Sequence, residues 1–218
     1  MSIPNWLDWA RRLQAISQSG IFYARQFNLD FDRERYEQIG RIAAEMIAAS
    51  EGGTVDALTH LEDTFAPQAG HATPKVDVRG VVFHDDKLLL VQEKLDHLRW
   101  TLPGGWADIN DAASESAVRE VWEETGYRAR AVKLLALYDR NRHGHPPHLF
   151  HVYKAFFRCE LTGEPRTLFE SNLESGDVGW FAEDEIAGLD LSVGRVTPSQ
   201  IARFFEHLRH PELPTDFD

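Results

Sequence analysis

Between Pro67 and Pro74 the spacing of apolar residues changes, and this change limits the chain to a two-part organisation. Before it, Trp6, Leu7, Trp9, Ala10, Leu13 and Ile16 recur at three- and four-residue intervals up to Gly20, which predicts an amphipathic helix ending there. A second helix is expected from Asp32, with Tyr36, Ile39, Ala43, Met46 and Ile47 on one face and Glu51-Gly52-Gly53 as its stop. A third is expected from Thr54, as N-cap, through Val55, Leu58, Leu61 and Phe65. After Pro74 the period becomes two. Val76, Val78 and Gly80 alternate with Asp77 and Arg79, and a tight turn at His84-Asp85-Asp86 joins that strand to the run Leu88 to Val91.

Further strands are predicted over 131–138, 149–159 and 178–181, and a helix between Ala112 and Thr125. A last helix starts with Thr197 as N-cap and Pro198 at its first position, and carries Ile201, Phe204, Phe205 and Leu208. The expected division is a helical N-terminal domain over 1–67, a linker over 68–74 and a mixed α/β domain over 75–218. A chain of 218 residues has no room for a second full-sized enzyme domain.

Charge and cysteine usage narrow the function. Lys and Arg total 23 against 35 Asp and Glu, a net charge of -12, with no basic stripe to neutralise a nucleic-acid backbone, so no nucleic-acid partner is expected. No stretch approaches the roughly 18 apolar residues of a membrane span, and Met-Ser-Ile-Pro-Asn-Trp lacks the pattern of a secretion signal. Cys159 is the only cysteine, which rules out an internal disulfide and a thiolate zinc site and fits a reducing, cytoplasmic setting. An acidic protein repels phosphorylated substrates, so an enzyme acting on them needs cations at its site.

The chemistry concentrates in one stretch. Leu102-Pro103-Gly104-Gly105-Trp106-Ala107-Asp108 is followed by a polar turn and a helix ending Arg119-Glu120-Val121-Trp122-Glu123-Glu124-Thr125-Gly126-Tyr127. Glu120, Glu123 and Glu124 stand at i, i+3 and i+4, so a helix presents all three within one turn. Such a face is either solvated or gathers cations; magnesium, which takes oxygen ligands together with substrate phosphates, suits it. Arg119 is placed to orient one carboxylate, and the glycine pair lets backbone approach metal or diphosphate closely.

These residues resemble the Nudix box: G, any five, E, any seven, then R-E-U-x-E-E-x-G-U, where U is aliphatic or bulky apolar. Counted from Gly105, the chain matches at Arg119, Glu120, Val121, Glu123, Glu124 and Gly126, and more loosely at Tyr127. Asp111 stands where the box has its first Glu, and reads either as a shortened ligand or as a helix N-cap. Trp6 through Leu13, Asp32 through Tyr36, and Thr73 through Arg79 resemble the branch with a small N-terminal helical domain, which includes ADP-ribose and CDP-choline pyrophosphatases.

The resemblance implies a Nudix α/β/α sandwich with a mixed sheet, preceded by a small all-helical domain, and a homodimer. It implies cleavage of a nucleoside diphosphate linked to another group, giving a nucleoside monophosphate and a phosphorylated fragment. Mg2+, or Mn2+ in its place, would be held by the Gly105 carbonyl, Glu120, Glu123 and Glu124. Glu120, Glu123 and Arg119 would serve catalysis, with a further carboxylate drawn from Glu170, Glu174 and Asp177; Glu174 is the choice. Two rival readings are a non-catalytic nucleotide-sugar sensor and an isoprenyl diphosphate isomerase, the latter requiring a cysteine in the pocket.

Other candidates are single residues. Arg79, Lys94, Arg99 and Arg140 flank the box and could hold phosphate oxygens, or be plain surface cations. The loop with His143, His145, His148 and His151 reads as a substrate cover, with a histidine or Tyr138 stacking on a base, and structural zinc as the lesser alternative. Trp100 and Trp180 read as core or pocket wall, and Cys159 as inert and buried.

Overall fold

The computed structural model describes residues 4–50, 63–65, 67–163 and 175–218. The helix expected from Thr54 lies mostly outside the described residues, as do Glu170 and Glu174. The chain forms two compact units, one of 75–146 and 152–218, the other of residues up to 74 together with 147–151.

In the smaller unit, α1 (Asn5–Gln26) and α2 (Asp30–Ser50) form an antiparallel pair. Gly20 does not end α1, contrary to expectation. It lies inside the helix, where a Cβ would meet the Tyr36 ring at 2.4 Å, so glycine is what lets Tyr36 of α2 rest on α1. Beside it, Ser17 Oγ donates to the Tyr36 carbonyl at 2.7 Å. A helical glycine costs about 1 kcal/mol relative to alanine, which this close packing offsets. Leu7, Ala10, Ala44, Ile47 and Ala48 make the core, with Phe65 and Leu149 packed against it. The strand expected from Leu149 begins only at Val152. Pro147–His151 belongs instead to the helical unit, where Arg11 donates to the carbonyls of Leu149, at 3.2 Å, and His148. Trp9, Ile16, Phe22, Tyr23, Phe27 and Phe31 are exposed.

The larger unit is built on an eight-stranded mixed sheet. Its strands are β1 (Lys75–His84), β2 (Lys87–Glu93), β3 (Arg99–Thr101), β4 (Gly104–Trp106), β5 (Ala129–Asp139), β6 (Val152–Leu161), β7 (Ser175–Phe181) and β8 (Asp216–Phe217). The order is β3-β2-β1-β6-β5-β8, with β4 added to β1 and β7 to β2. The β1–β6 pair is parallel, while β1–β2 and β5–β6 are antiparallel. Asp85 and Asp86 close the β1–β2 hairpin with φ of 48° and 57°, the two left-handed residues that such a turn needs.

Alternation along the strands sends side chains to both faces. Val81, Leu88, Leu90 and Phe156 pack under α4 (Pro198–Arg209) through Ile201, Phe204 and Phe205. Val82, Leu89 and Cys159 pack under α3 (Ala113–Thr125) through Val121. This is the expected sandwich of helices on a mixed sheet. Thr197 caps α4, bonding the Gln200 amide while Gln200 bonds back, with Pro198 at the first position. Among the described residues, no helix is long and apolar enough to cross a membrane.

Candidate active site

Strand β4 is the platform of the site. It pairs with β1 so that Gly104 lies opposite Arg79 and Gly105 opposite Val78. Gly104 has φ +142°, and a Cβ there would stand 2.1 Å from the Val78 carbonyl oxygen, so no other residue fits. Helix α3 lies over this turn because Gly80 lets it approach: a Cβ on Gly80 would meet Val121 at 2.2 Å. Gly126, left-handed at φ 73°, ends the helix just after the glutamates.

The three glutamates then have different surroundings. Glu124 is buried and accepts a hydrogen bond from the Gly104 N–H at 2.9 Å. Glu120 is half-buried, its carboxylate oxygens 3.5 and 3.6 Å from where a Gly105 Cβ would be. Glu123 is exposed. Arg119 links the acidic groups, reaching Glu123 at 2.9 Å, Glu120 at 3.1 Å, Asp108 at 2.7 Å and Asp111 at 3.4 Å. Burial pushes the Glu124 carboxyl up to about 7, against the pull of Arg79 and the Gly104 N–H. Burial likewise raises Glu120, against Arg119. Burial outweighs the nearby arginines at both carboxylates, and a divalent cation would further favour their charged forms.

Asp111 is not the helix N-cap. The helix starts one residue later, with Ala112 at the cap and its N–H donating to Glu115 at 3.0 Å. Asp111 turns its carboxylate to Arg119 instead, and accepts from Ser116 Oγ at 3.5 Å.

Glu120 thus faces Gly105, Glu124 binds the Gly104 N–H, and Glu123 is joined to Glu120 through Arg119. The donor set consists of hard oxygens, which fits magnesium. Among the described residues, no three His, Cys, Asp or Glu side chains close into a metal cage.

The single-residue candidates have varied surroundings. Arg79 is buried: its guanidinium grips both Asp77 oxygens at 3.0 and 2.7 Å and donates to the Leu102 carbonyl at 3.1 Å. Lys94 is exposed, on the short helical turn after β2. Arg99 pairs with Asp96 and Asp190 at 3.1 and 3.3 Å. Tyr138 is a correction, since the ring is buried, stacked on His143 at 3.7 Å between centroids, and its hydroxyl donates to Asp216 at 3.2 Å; no face is left for a base. Arg140 is also buried, donating to the Pro146 and Gly194 carbonyls at 2.5 and 3.3 Å. His143 pairs with Asp218 at 2.8 Å, and buried His145 with the Val193 carbonyl at 2.7 Å. Trp100 packs on Phe181, and Trp180 donates to the Tyr127 hydroxyl at 3.0 Å.

Sequence reasoning missed Asp77 and Lys154. Lys154 is 1% exposed and donates to Asp77 at 2.5 Å. A signal was present: Lys154 falls between Val152 and Phe156 on the inward alternate of β6, where a lysine must have a buried partner. Cys159 lies in the core beside Val82, Leu89 and Val121, and burial pushes its thiol up to about 12, which is unlike a reactive cysteine.

Two family models match the chain. Residues 4–61 match one described as a UDP-X-like, N-terminal oligomerisation domain, and residues 73–201 match the NUDIX domain. A Bacillus subtilis (strain 168) protein named "Putative ADP-ribose pyrophosphatase YjhB" is 39% identical over 213 residues, covering 98% of this chain and 97% of its own length. The crystal structure of a UDP-X diphosphatase is 28% identical and covers 100% of both chains with a TM-score of 0.60. That of an ADP-ribose pyrophosphatase from Streptococcus suis 89-1591 is 36% identical, covering 67% of this chain and 100% of its own, with a TM-score of 0.59.

Proposed function

The chain belongs to the Nudix hydrolase family, and from this we propose that it hydrolyses a nucleoside diphosphate linked to a second group, of the ADP-ribose, CDP-choline or UDP-X type. The observation that carries the reading is the meeting of Glu120 and Glu124 with the Gly104-Gly105 turn at one end of α3. Gly105, through its carbonyl, and Glu120, Glu123 and Glu124 would hold Mg2+, or Mn2+ in its place. A divalent ion there would supply charge to offset the diphosphate and would lower the pKa of a bound water.

Arg119 fixes the directions of Glu120 and Glu123, and one of these, or Glu174, accepts the proton of the water as it attacks phosphorus. The anhydride P–O bond breaks, leaving a nucleoside monophosphate and a phosphorylated fragment. Lys94 and Arg99 are the candidates for holding substrate phosphates, since Arg79 and Arg140 are both buried. The functional division we adopt is 1–67, 68–74 and 75–218, with Pro147–His151 added to the helical side. We read the enzyme as a cytoplasmic homodimer assembled through its helical domain, with small nucleotide derivatives as its partners and no nucleic acid.

A panel of ADP-ribose, CDP-choline, UDP-sugars and nucleoside triphosphates, each with Mg2+ or Mn2+ and resolved by product chromatography, tests the assignment. Faster turnover of a diphosphate-linked compound is expected. Preference for a triphosphate would overturn it.

A further inference from the structure

Lys154, Asp77 and Arg79 form a buried chain of charges that ends behind Glu124. Asp77 and Arg79, two residues apart on β1, share a face, and Lys154 is the register partner of Asp77 across the parallel β1–β6 pair. Lys154 Nζ donates to Asp77 Oδ1 at 2.5 Å, while Arg79 holds both Asp77 oxygens. Each of the three is less than a tenth exposed.

One carboxylate cannot balance two cations. Taken alone, the group leaves one buried positive charge uncompensated, which is strongly unfavourable away from water. After Asp77, the anions that act on Arg79 are Glu124 and then Glu120. Arg79 is also fixed to the glycine turn: its Nη1 donates to the Leu102 carbonyl, and a Cβ on Gly104 would stand 2.8 Å from the Arg79 Cα. The same Gly104 donates its N–H to Glu124. Glu124 therefore accepts from the Gly104 N–H, and the buried Arg79 side chain lies against the same glycine.

We propose that Lys154, Asp77 and Arg79 are positioning residues of the hydrolytic site: Lys154 and Asp77 lock the Arg79 guanidinium, and Arg79 keeps the Glu124 carboxylate on the Gly104 amide. This rests on the reading of Glu124 as part of the metal-holding set. It assigns Arg79 a role behind the glutamates, away from substrate phosphates, and gives Lys154, too deep to touch substrate, a part in turnover.

The test uses the full chain with Arg79→Lys, Arg79→Met, Lys154→Met and the Arg79→Met/Lys154→Met double variant, each checked for folding by circular dichroism. Two readouts are taken: steady-state kinetics at saturating Mg2+, and the Gly104 amide signal in the proton–nitrogen spectrum of the metal-free protein. In Lys154→Met, kcat should fall about tenfold with KM within about twofold, and the Gly104 signal should move upfield as its carboxylate partner loosens. Arg79→Met should do the same more strongly, and Arg79→Lys should recover part of the loss. The double variant should be no slower than Arg79→Met, because Lys154 acts through Arg79. A raised KM with unchanged kcat in the Arg79 variants would make Arg79 a substrate contact and overturn the proposal. A folded Lys154→Met with wild-type kcat and an unmoved Gly104 signal would reduce the chain of charges to a support of the fold. Wild-type protein inactive on every diphosphate would defeat the hydrolase reading separately, leaving the Gly104 signal to decide the positioning role.

Discussion

The Glu124 carboxylate accepts a hydrogen bond from the Gly104 backbone N–H at 2.9 Å, across 20 residues of chain. It ties the last turn of α3 to a strand residue whose place no side chain fits.

Gly104→Ala should therefore be far more damaging than alanine at other left-handed glycines. Its Cβ would stand 2.1 Å from the Val78 carbonyl oxygen, whereas Gly144, at φ +73°, has nothing within 4 Å. Gly144→Ala should cost about 1–2 kcal/mol for the left-handed conformation alone. Gly104→Ala should cost on the order of 4 kcal/mol or more, as overpacking adds to backbone strain. Denaturant titration of the two variants checks the ranking, and equal costs would contradict the close approach.

Glu120→Gln, Glu123→Gln and Glu124→Gln remove charge with little change in shape. Each should keep its circular dichroism spectrum while turnover falls about a hundredfold or more. Kinetics over a magnesium titration separate the roles: recovery at high magnesium marks a ligand, and slow turnover with normal metal binding marks the base. Wild-type turnover in all three would end the mechanism.

Strand β8 should be sensitive to acid. The Arg203 guanidinium bonded to Asp216, helped by His207, lowers that carboxyl from 3.8 to about 2. A depressed carboxyl contributes stability above its unfolded value and loses it as pH falls through the folded one. The Tm difference between wild type and Asp216→Asn should be full at pH 5 and shrink towards zero between about pH 4 and 2. A difference constant over that window would show that Asp216 acts by packing alone.

Removing residues before Pro74 would strip Leu149 and Phe150 of the side chains they pack on, Leu7, Ala10 and Phe65 among them. The truncated protein should be poorly soluble or monomeric, with impaired activity. Light scattering on both lengths tests this, and a full-length monomer would refute the proposed dimer.

Much of the site could be read in advance because it is local. Glu120, Glu123 and Glu124 share a face of any helix they form, and Thr197-Pro198 announces its helix from adjacent residues. What was misread depends on distant chain. Gly20 has the form of a helix stop until Tyr36 is packed on it, and Asp111 that of a cap until Arg119 claims its carboxylate. Asp77 and Lys154 are 77 residues apart, and only the parallel register of β1 and β6 brings them together. Strands β3, β4 and β8 are two or three residues long, too short for any alternation to show.

The segment Pro147–His151 has a consequence for synthesis on the ribosome. The helical unit contains it, so this unit cannot be finished when its own helices emerge. After Ser50, the end of α2, a further 99 residues must be translated before Leu149 arrives, on the order of 5–20 seconds at elongation rates of roughly 5–20 residues per second. Through that interval α1 and α2 wait without the Leu149 side chain and the backbone carbonyls that Arg11 later binds. A nascent chain stalled before residue 147 should accordingly leave these helices open to protease, and one stalled well after residue 151 should protect them.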